Sequence, residues 1–464
     1  MGNDVRCNRS MRTDRAGGPR RASVALAAVV PLAMLVSLPA MPAAAQEAVG
    51  QPARDAARSV DLRAVLVAVK TRPLADARAV RDDVAPALGS DQLALVDALL
   101  LAREGEGEAA ERALRDLLTE DPSRRVVRFE LAQLLIRRER YTAARFQLDL
   151  LTASEPDPAV RRVYAALDRR ISELRPWDVD VSFGVAPRTN ANRGSTEEDL
   201  GGGYAITSRA TSGVGLTYGA SVSRRFAITP TIDMYARGFV SGVEYEDRDL
   251  AANTVGLGTF ARLNGEGGGR VDVGVDLARQ YADGNLLDGV ASATLVTPYL
   301  SFHRPVGRRF AIGGSQRLTR VDYAPDGIDD GWRGTTTARL SFAPQAGRTF
   351  SVSGAYGFDR SGLDYQQYDS VEIGASAYAE LPLGLSASLG GAVGARDFRA
   401  PFPTLGTKER EDTYARASLD LTKRDWAVRG FAPRVGVSYE INDSNVPLYK
   451  FDDIGFSAGV SRSF

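Results

Sequence analysis

The sequence predicts a chain of two unlike folded parts (α + β, multidomain): a helical repeat domain followed by a transmembrane antiparallel β-barrel of about 14 strands. Three observations carry that prediction. Between Ala56 and Leu174 the apolar residues recur at helical spacing and the pattern repeats; at Trp177 the period switches to two; and from there to Phe464 short and long connections alternate. The 46 glycines are concentrated in the second half, and the first is rich in Ala, Leu and Arg. With 58 basic and 58 acidic residues the formal net charge is zero, which argues against nucleic acid as a partner.

The N-terminus reads as an export signal over residues 1–45. Arg6, Arg9, Arg12, Arg15, Arg20 and Arg21 precede an apolar run from Ala22 to Leu38, and Ala43, Ala44 and Ala45 follow. Cleavage is expected after Ala45. Pro31 and Pro39 interrupt or end the run, which is also short for a bilayer-spanning helix. The single cysteine, Cys7, would leave with the signal, so the mature chain is expected to have no disulfide, thiolate metal site or lipid-bearing cysteine. Beyond the signal no apolar stretch approaches the ~20 residues of a membrane helix, so an integral protein would have to be a barrel.

Residues 46–174 are predicted as the helical domain. Glu108 to Pro122 superposes on Thr142 to Pro156 at the period of about 34 residues typical of tetratricopeptide repeats. Ala109, Ala110, Leu114, Leu117 and Pro122 fall on Ala143, Ala144, Leu148, Leu151 and Pro156. At the same offset, Ala98, Leu100 and Leu101 fall on Ala132, Leu134 and Leu135. Small residues let paired helices approach and the prolines stop each second helix. A degenerate earlier copy is suggested by Ala64, Leu66, Ala75 and Ala79. Such arrays stack into solenoids that hold an extended peptide or another protein; a spacer or dimerisation module is the blander alternative. Arg128, Glu130, Arg137 and Arg138 are the candidate partner-contacting positions, set against an ordinary solvated face.

Residues 175–464 are predicted as the barrel. In the first strand Trp177, Val179, Val181, Phe183 and Val185 alternate with Asp178, Asp180, Ser182 and Gly184. A membrane barrel turns the first set to lipid and the second to its lumen. Short turns are expected near Arg224 to Thr229, Asn264 to Gly268, Arg304 to Arg309, Pro344 to Arg348, Pro382 to Gly384 and Lys423 to Asp425. Longer loops such as Pro187 to Ser208, Tyr323 to Gly331 and Arg399 to Glu411 lie between them. Phe302, Phe310, Phe342, Phe350, Trp177, Trp426 and Phe464 gather on the short-turn side, as in an interfacial aromatic girdle. The last strand, Ile454 to Phe464, ends in phenylalanine, which resembles the signal read by the barrel-assembly machinery, an expected partner together with outer-membrane lipid.

No catalytic, cofactor or metal site is expected, and the chain is not read as an enzyme. His303, the sole histidine, sits beside Arg304 at the edge of a short turn and would need a partner at hydrogen-bond distance to do chemistry. Asp178 and Asp180 are read as ordinary lumenal carboxylates. The runs Gly201 to Gly203 and Gly267 to Gly269 lack the Lys and Ser or Thr of a phosphate loop. The acidic stretch Asp326 to Asp330 lacks a calcium-ligand spacing.

From about Ala94 to Phe464 the chain resembles the surface lipoprotein assembly modulator (Slam) family, whose members join periplasmic tetratricopeptide repeats to a barrel of this size. The resemblance is carried by Glu130 to Leu148, by the junction Arg175 to Asn192 and by the ending Asn442 to Phe464. The family's first-strand tryptophan and spaced asparagine pair are matched by Trp177, Asn190 and Asn192, and its final-loop motif by Ser444, Asn445 and Tyr449. The resemblance implies an outer-membrane translocator that moves a lipoprotein, or a secreted haem- or metal-scavenging client, from the periplasm to the cell surface. The helical domain would lie in the periplasm. A passive porin and a polysaccharide exporter are the alternatives.

Overall fold

Among the described residues the α-helices come first and the strands second, with only 3-10 turns between strands. The computed structural model describes residues 61–197, 209–265, 268–282, 291–307, 309–323, 330–402, 408–427 and 431–461. The export signal, the cleavage position after Ala45, the glycine run at 201–203, Asp326 and Asp329, and the terminal Phe464 lie outside the described residues.

The helices are α1 (Leu62–Thr71), α2 (Leu74–Val84), α3 (Ser90–Arg103), α4 (Gly107–Glu120), α5 (Arg125–Arg137), α6 (Tyr141–Ser154) and α7 (Pro158–Leu174). Their starts follow local chemistry: Asp61 accepts from the Arg63 N–H at 2.9 Å, and Asp157 caps α7 from Ala159 at 2.7 Å with Pro158 in the first turn. The repeat extends to the backbone. Gly105 (φ 91°) ends α3 and Glu139 (φ 60°), at the equivalent place one period later, ends α5. The closing hydrogen bonds match too, Glu106 N–H to Leu101 O and Arg140 N–H to Leu135 O, both 2.9 Å. Leu99, Leu114, Leu131, Leu135, Leu148 and Leu151 form one buried core, with Ala98, Ala110, Ala132 and Ala144 at the tight helix crossings.

The strands are β1 (Trp177–Arg188), β2 (Gly213–Ala227), β3 (Ile232–Glu244), β4 (Ala252–Asn264), β5 (Arg270–Ala282), β6 (Ala291–Val306) and β7 (Phe310–Tyr323). They continue with β8 (Gly331–Gln345), β9 (Arg348–Asp359), β10 (Tyr368–Leu381), β11 (Leu385–Pro401), β12 (Glu409–Lys423), β13 (Ala432–Ser444) and β14 (Phe451–Ser461). Each pairs antiparallel with its sequence neighbour, and β1 pairs with β14 to close the barrel. Short and long connections alternate as expected as far as β12; the short turn expected at Lys423 to Asp425 is instead a longer connection, with a 3-10 turn at Arg424–Trp426 and β13 beginning only at Ala432. The apolar face of the period-two pattern is the exposed one: Val214, Leu257, Val352, Ile373 and Phe456 stand outward. A closed sheet leaves no unpaired edge in hydrocarbon, the condition under which strands cross a bilayer.

Aromatic side chains crowd the short-turn end of that outer face. Phe310 and Phe342 approach to 4.9 Å between ring centroids on neighbouring strands, and Phe302, Phe350, Trp177 and Trp426 are all exposed there. Arg224 lies 5.1 Å over the Trp177 ring, and Lys423 5.5 Å over Trp426, the amphipathic pairing that suits a headgroup layer.

Candidate functional site

Two places concentrate buried polar groups: the short-turn mouth of the barrel, where the helical domain docks, and the long-loop end of the β1–β14 seam. At the mouth, Arg128 of α5 and Glu380 at the end of β10 form an ion pair in which both side chains are 1% exposed. Arg424, in the β12–β13 turn, pairs with the same carboxylate. Arg128 also donates to Gln147 Oε1 and to the Pro122 carbonyl, both at 2.6 Å. The contacts spread around the rim: Arg145 of α6 reaches Asp178 of β1 at 3.4 Å, and Arg161 of α7 donates to the Gly307 carbonyl at 3.5 Å. Phe146 of α6 lines a cavity with Tyr378, Ser388, Thr422 and Arg434, whose side chains belong to the lumenal wall. Glu111 of α4 is gripped by Arg115 (3.0 Å), Arg140 (2.5 Å) and Arg138. Burial opposes ionisation of Glu111, but those three guanidiniums outweigh it and hold its carboxyl below the ordinary value.

At the seam, β1 and β14 pair from Ser182–Ser461 to Arg188–Gly455. Gly184 faces Gly459 in that ladder, and a Cβ at Gly459 would collide with the Phe183 carbonyl oxygen, so the closing strands approach where neither carries a side chain. Beyond it sits Asp453 of β14, whose side chain is fully buried. It accepts from Arg188 Nε (2.7 Å), the Asn190 N–H (2.9 Å) and the Thr189 hydroxyl (3.4 Å).

The lumen between these two places has unlike walls. On β3–β6, Tyr235 stacks on Phe260 at 4.5 Å and 3°, and Arg262 holds Asp272 at 2.8 Å. On β9–β13 small residues, Ser353, Gly374, Ser376, Gly390 and Ser418, surround the ion pair of Arg416 with Glu372 at 2.7 Å.

Residues 177–464 match the family of surface lipoprotein assembly modifiers, which covers the whole barrel and well over half the chain. The chain belongs to the surface lipoprotein assembly modifier family. Residues 101–167 match the tetratricopeptide repeat, as the helical period predicts. A surface lipoprotein assembly modifier of Moraxella catarrhalis is 22% identical over 355 residues, 76% of this chain and 69% of that one. Among solved structures, the toluene transporter TodX of P. putida covers 63% of this chain and 92% of its own at 9% identity, with a TM-score of 0.37. The loop L8 deletion mutant of the outer-membrane protein OmpT of Vibrio cholerae covers 62% and 99% at 10% identity, with a TM-score of 0.33.

Of the positions singled out by resemblance, Asn190 and Asn192 lie in the loop after β1, and Ser444, Asn445 and Tyr449 lie at or just after the end of β13, all at the long-loop end of the barrel. Asn190, 2% exposed, donates from Nδ2 to the carbonyls of Gly194 (2.8 Å) and Asp452 (3.1 Å), tying the first long loop to the last strand. Asn192 Oδ1 accepts from Gly194 and Thr211 N–H groups, closing the loop on itself. Ser444 accepts from the Val446 N–H at 3.1 Å, and Asn445 clamps β12 by accepting from Glu411 (3.0 Å) and donating to Glu409 O (2.8 Å). The Tyr449 ring lies against the Arg410 guanidinium, 3.3 Å from its centroid. Trp177 is instead at the opposite end, on the outer face where the helical domain joins the barrel.

The four polar positions singled out on α5 and its C-terminus separate. Arg137 is exposed, and Arg138 reaches Glu111 and Glu108. Arg128 and Glu130 are buried instead of solvated, Arg128 against the barrel and Glu130 on Lys70 of α1 at 2.5 Å. His303 lies near the end of β6, opposite Arg270 in the ladder. Sequence reasoning missed Glu380, Arg424, Arg188 and Asp453. No local pattern marks them, since Arg128 and Glu380 are 252 residues apart and Arg188 and Asp453 are 265.

Proposed function

We propose that this protein is an outer-membrane translocator that carries a specific lipoprotein, or a secreted haem- or metal-scavenging client, from the periplasm to the cell surface. Membership of the surface lipoprotein assembly modifier family is the observation that carries the proposal. The helical domain lies in the periplasm and holds the client, and the barrel offers either its lumen or the β1–β14 seam as the route. No enzymatic step and no cofactor are needed. Folding or capture of the client outside the cell supplies the driving force, because no nucleotide is available in the periplasm. The domain docked on the short-turn mouth is a poor fit to a passive porin, which works with both ends open.

The test is co-expression with the exported protein encoded beside it, scoring surface exposure or release of that protein. Exposure that depends on the barrel supports translocation; equal exposure with and without it overturns the proposal.

A further inference from the structure

Around Glu380 at the short-turn mouth, guanidinium groups outnumber the carboxylate they hold. Arg128 and Arg424 share the single carboxylate of Glu380, and the buried Nε of each has no hydrogen-bond partner. The site therefore carries one positive charge in excess, in surroundings where an uncompensated charge is costly. Within the helical domain, Arg128 meets neutral acceptors, Gln147 Oε1 and the Pro122 carbonyl, which fix its orientation without neutralising it. The anion comes from the barrel.

We propose that Glu380 occupies, from within the same chain, a site at which the helical domain takes a carboxylate-bearing segment of its client, and that the docked arrangement is the resting, closed state. This rests on the client-carrying role proposed above. Three features support an acidic occupant. The receptor group is an oriented arginine, suited to bidentate carboxylate binding. Its surroundings on the helical domain are also basic, with Arg115, Arg138 and Arg140 converging on Glu111. Exchange of one carboxylate for another keeps the charge balance of the site, so release of Glu380 leaves no new buried charge behind. With Glu380 displaced, α5 loses its ion pair with the barrel and the docked helices keep only the weaker rim contacts of Arg145 and Arg161; Phe146 of α6 then leaves the lumenal cavity it shares with Tyr378 and Ser388, and the mouth opens.

The experiment uses the full mature chain in lipid nanodiscs and planar bilayers, with folding of each variant certified by the heat-dependent gel shift of an intact barrel. The probe is a fluorescent peptide of alternating Gly and Glu, with a Gly-Lys peptide as control. Glu380→Gln is expected to bind the acidic probe about tenfold more tightly than the native protein and to raise bilayer conductance, with no change for the lysine probe. Adding Arg128→Gln is expected to abolish the gain in binding and keep the raised conductance. Acidic-probe binding that ignores Glu380→Gln, or a gain that survives the loss of Arg128, overturns the site; unchanged conductance overturns the closed state. If Glu380→Gln loses the gel shift, Glu380→Asp, which keeps the charge and shortens the reach, is expected to give the same ranking with a smaller gain, and no gain overturns the site. None of these readouts depends on export, so their failure is distinguishable from failure of the translocation proposal.

Discussion

Asp453 shows how much of this molecule depends on single buried side chains. Its carboxylate accepts from Arg188, Thr189 and the Asn190 backbone, and it is closed off from solvent. Asp453→Ala leaves the part-exposed Arg188 guanidinium and the buried Asn190 N–H without their acceptor, a loss of about 1–3 kcal/mol for the unmade hydrogen bonds. The temperature of the heat-dependent gel shift is expected to fall in Asp453→Ala and to stay near native in Arg137→Ala, because Arg137 is exposed and outside the seam. An unchanged shift in Asp453→Ala would show that the ladder alone closes the barrel. Residues of this kind were not legible in the sequence. Asn190 and Asn192 stood out through resemblance, but the aspartate that the Asn190 backbone meets lies at the far end of the chain among ordinary acidic residues.

Elements were far more legible, because their causes are local. The helices announce themselves through Ala and Leu spacing, the strands through period two, and the repeat through matched alanines and prolines. The sequence comparison even stops short of the real correspondence, since Gly105 and Glu139 share a left-handed backbone that no residue match reveals. A side chain at that conformation costs roughly 1 kcal/mol, so Glu139→Gly is expected to stabilise the helical domain by about 0.5–1 kcal/mol. Thermal loss of helical circular dichroism checks this, and a lower midpoint would refute it. The strand parity makes a second prediction. Val352 faces lipid and Ser353 the lumen, one residue apart in β9. Val352→Arg is expected to cost about 2–4 kcal/mol, and Ser353→Arg much less, as measured by urea unfolding in lipid vesicles. Equal costs would mean that the faces are misassigned.

At the scale of the whole molecule, what the sequence could not convey is how the two parts meet. Charged residues on a repeat helix ordinarily face solvent, which is why Arg128 and Glu130 looked like a free binding surface. Docking buries Arg128 under a strand end that is close in space and remote in sequence. The mouth carries the consequence: cross-linking α6 to the lumenal wall, through Phe146→Cys and Ser388→Cys, is expected to abolish client exposure while leaving the barrel's gel shift intact. Reduction of the cross-link restores exposure. Full exposure from the cross-linked form would mean that cargo bypasses the lumenal mouth.

The knot of Asn190 and Asp453 also bears on the order in which the barrel is made. The turn after β1 is synthesised early, yet its buried hydrogen bonds wait for a strand that emerges at the end of the chain. Until then Asn190 keeps its bonds to Gly194 within the loop and lacks those to Asp452 and Asp453. The barrel thus carries its own completion check: the loop at the seam becomes rigid only in a molecule whose last strand has arrived and is in register.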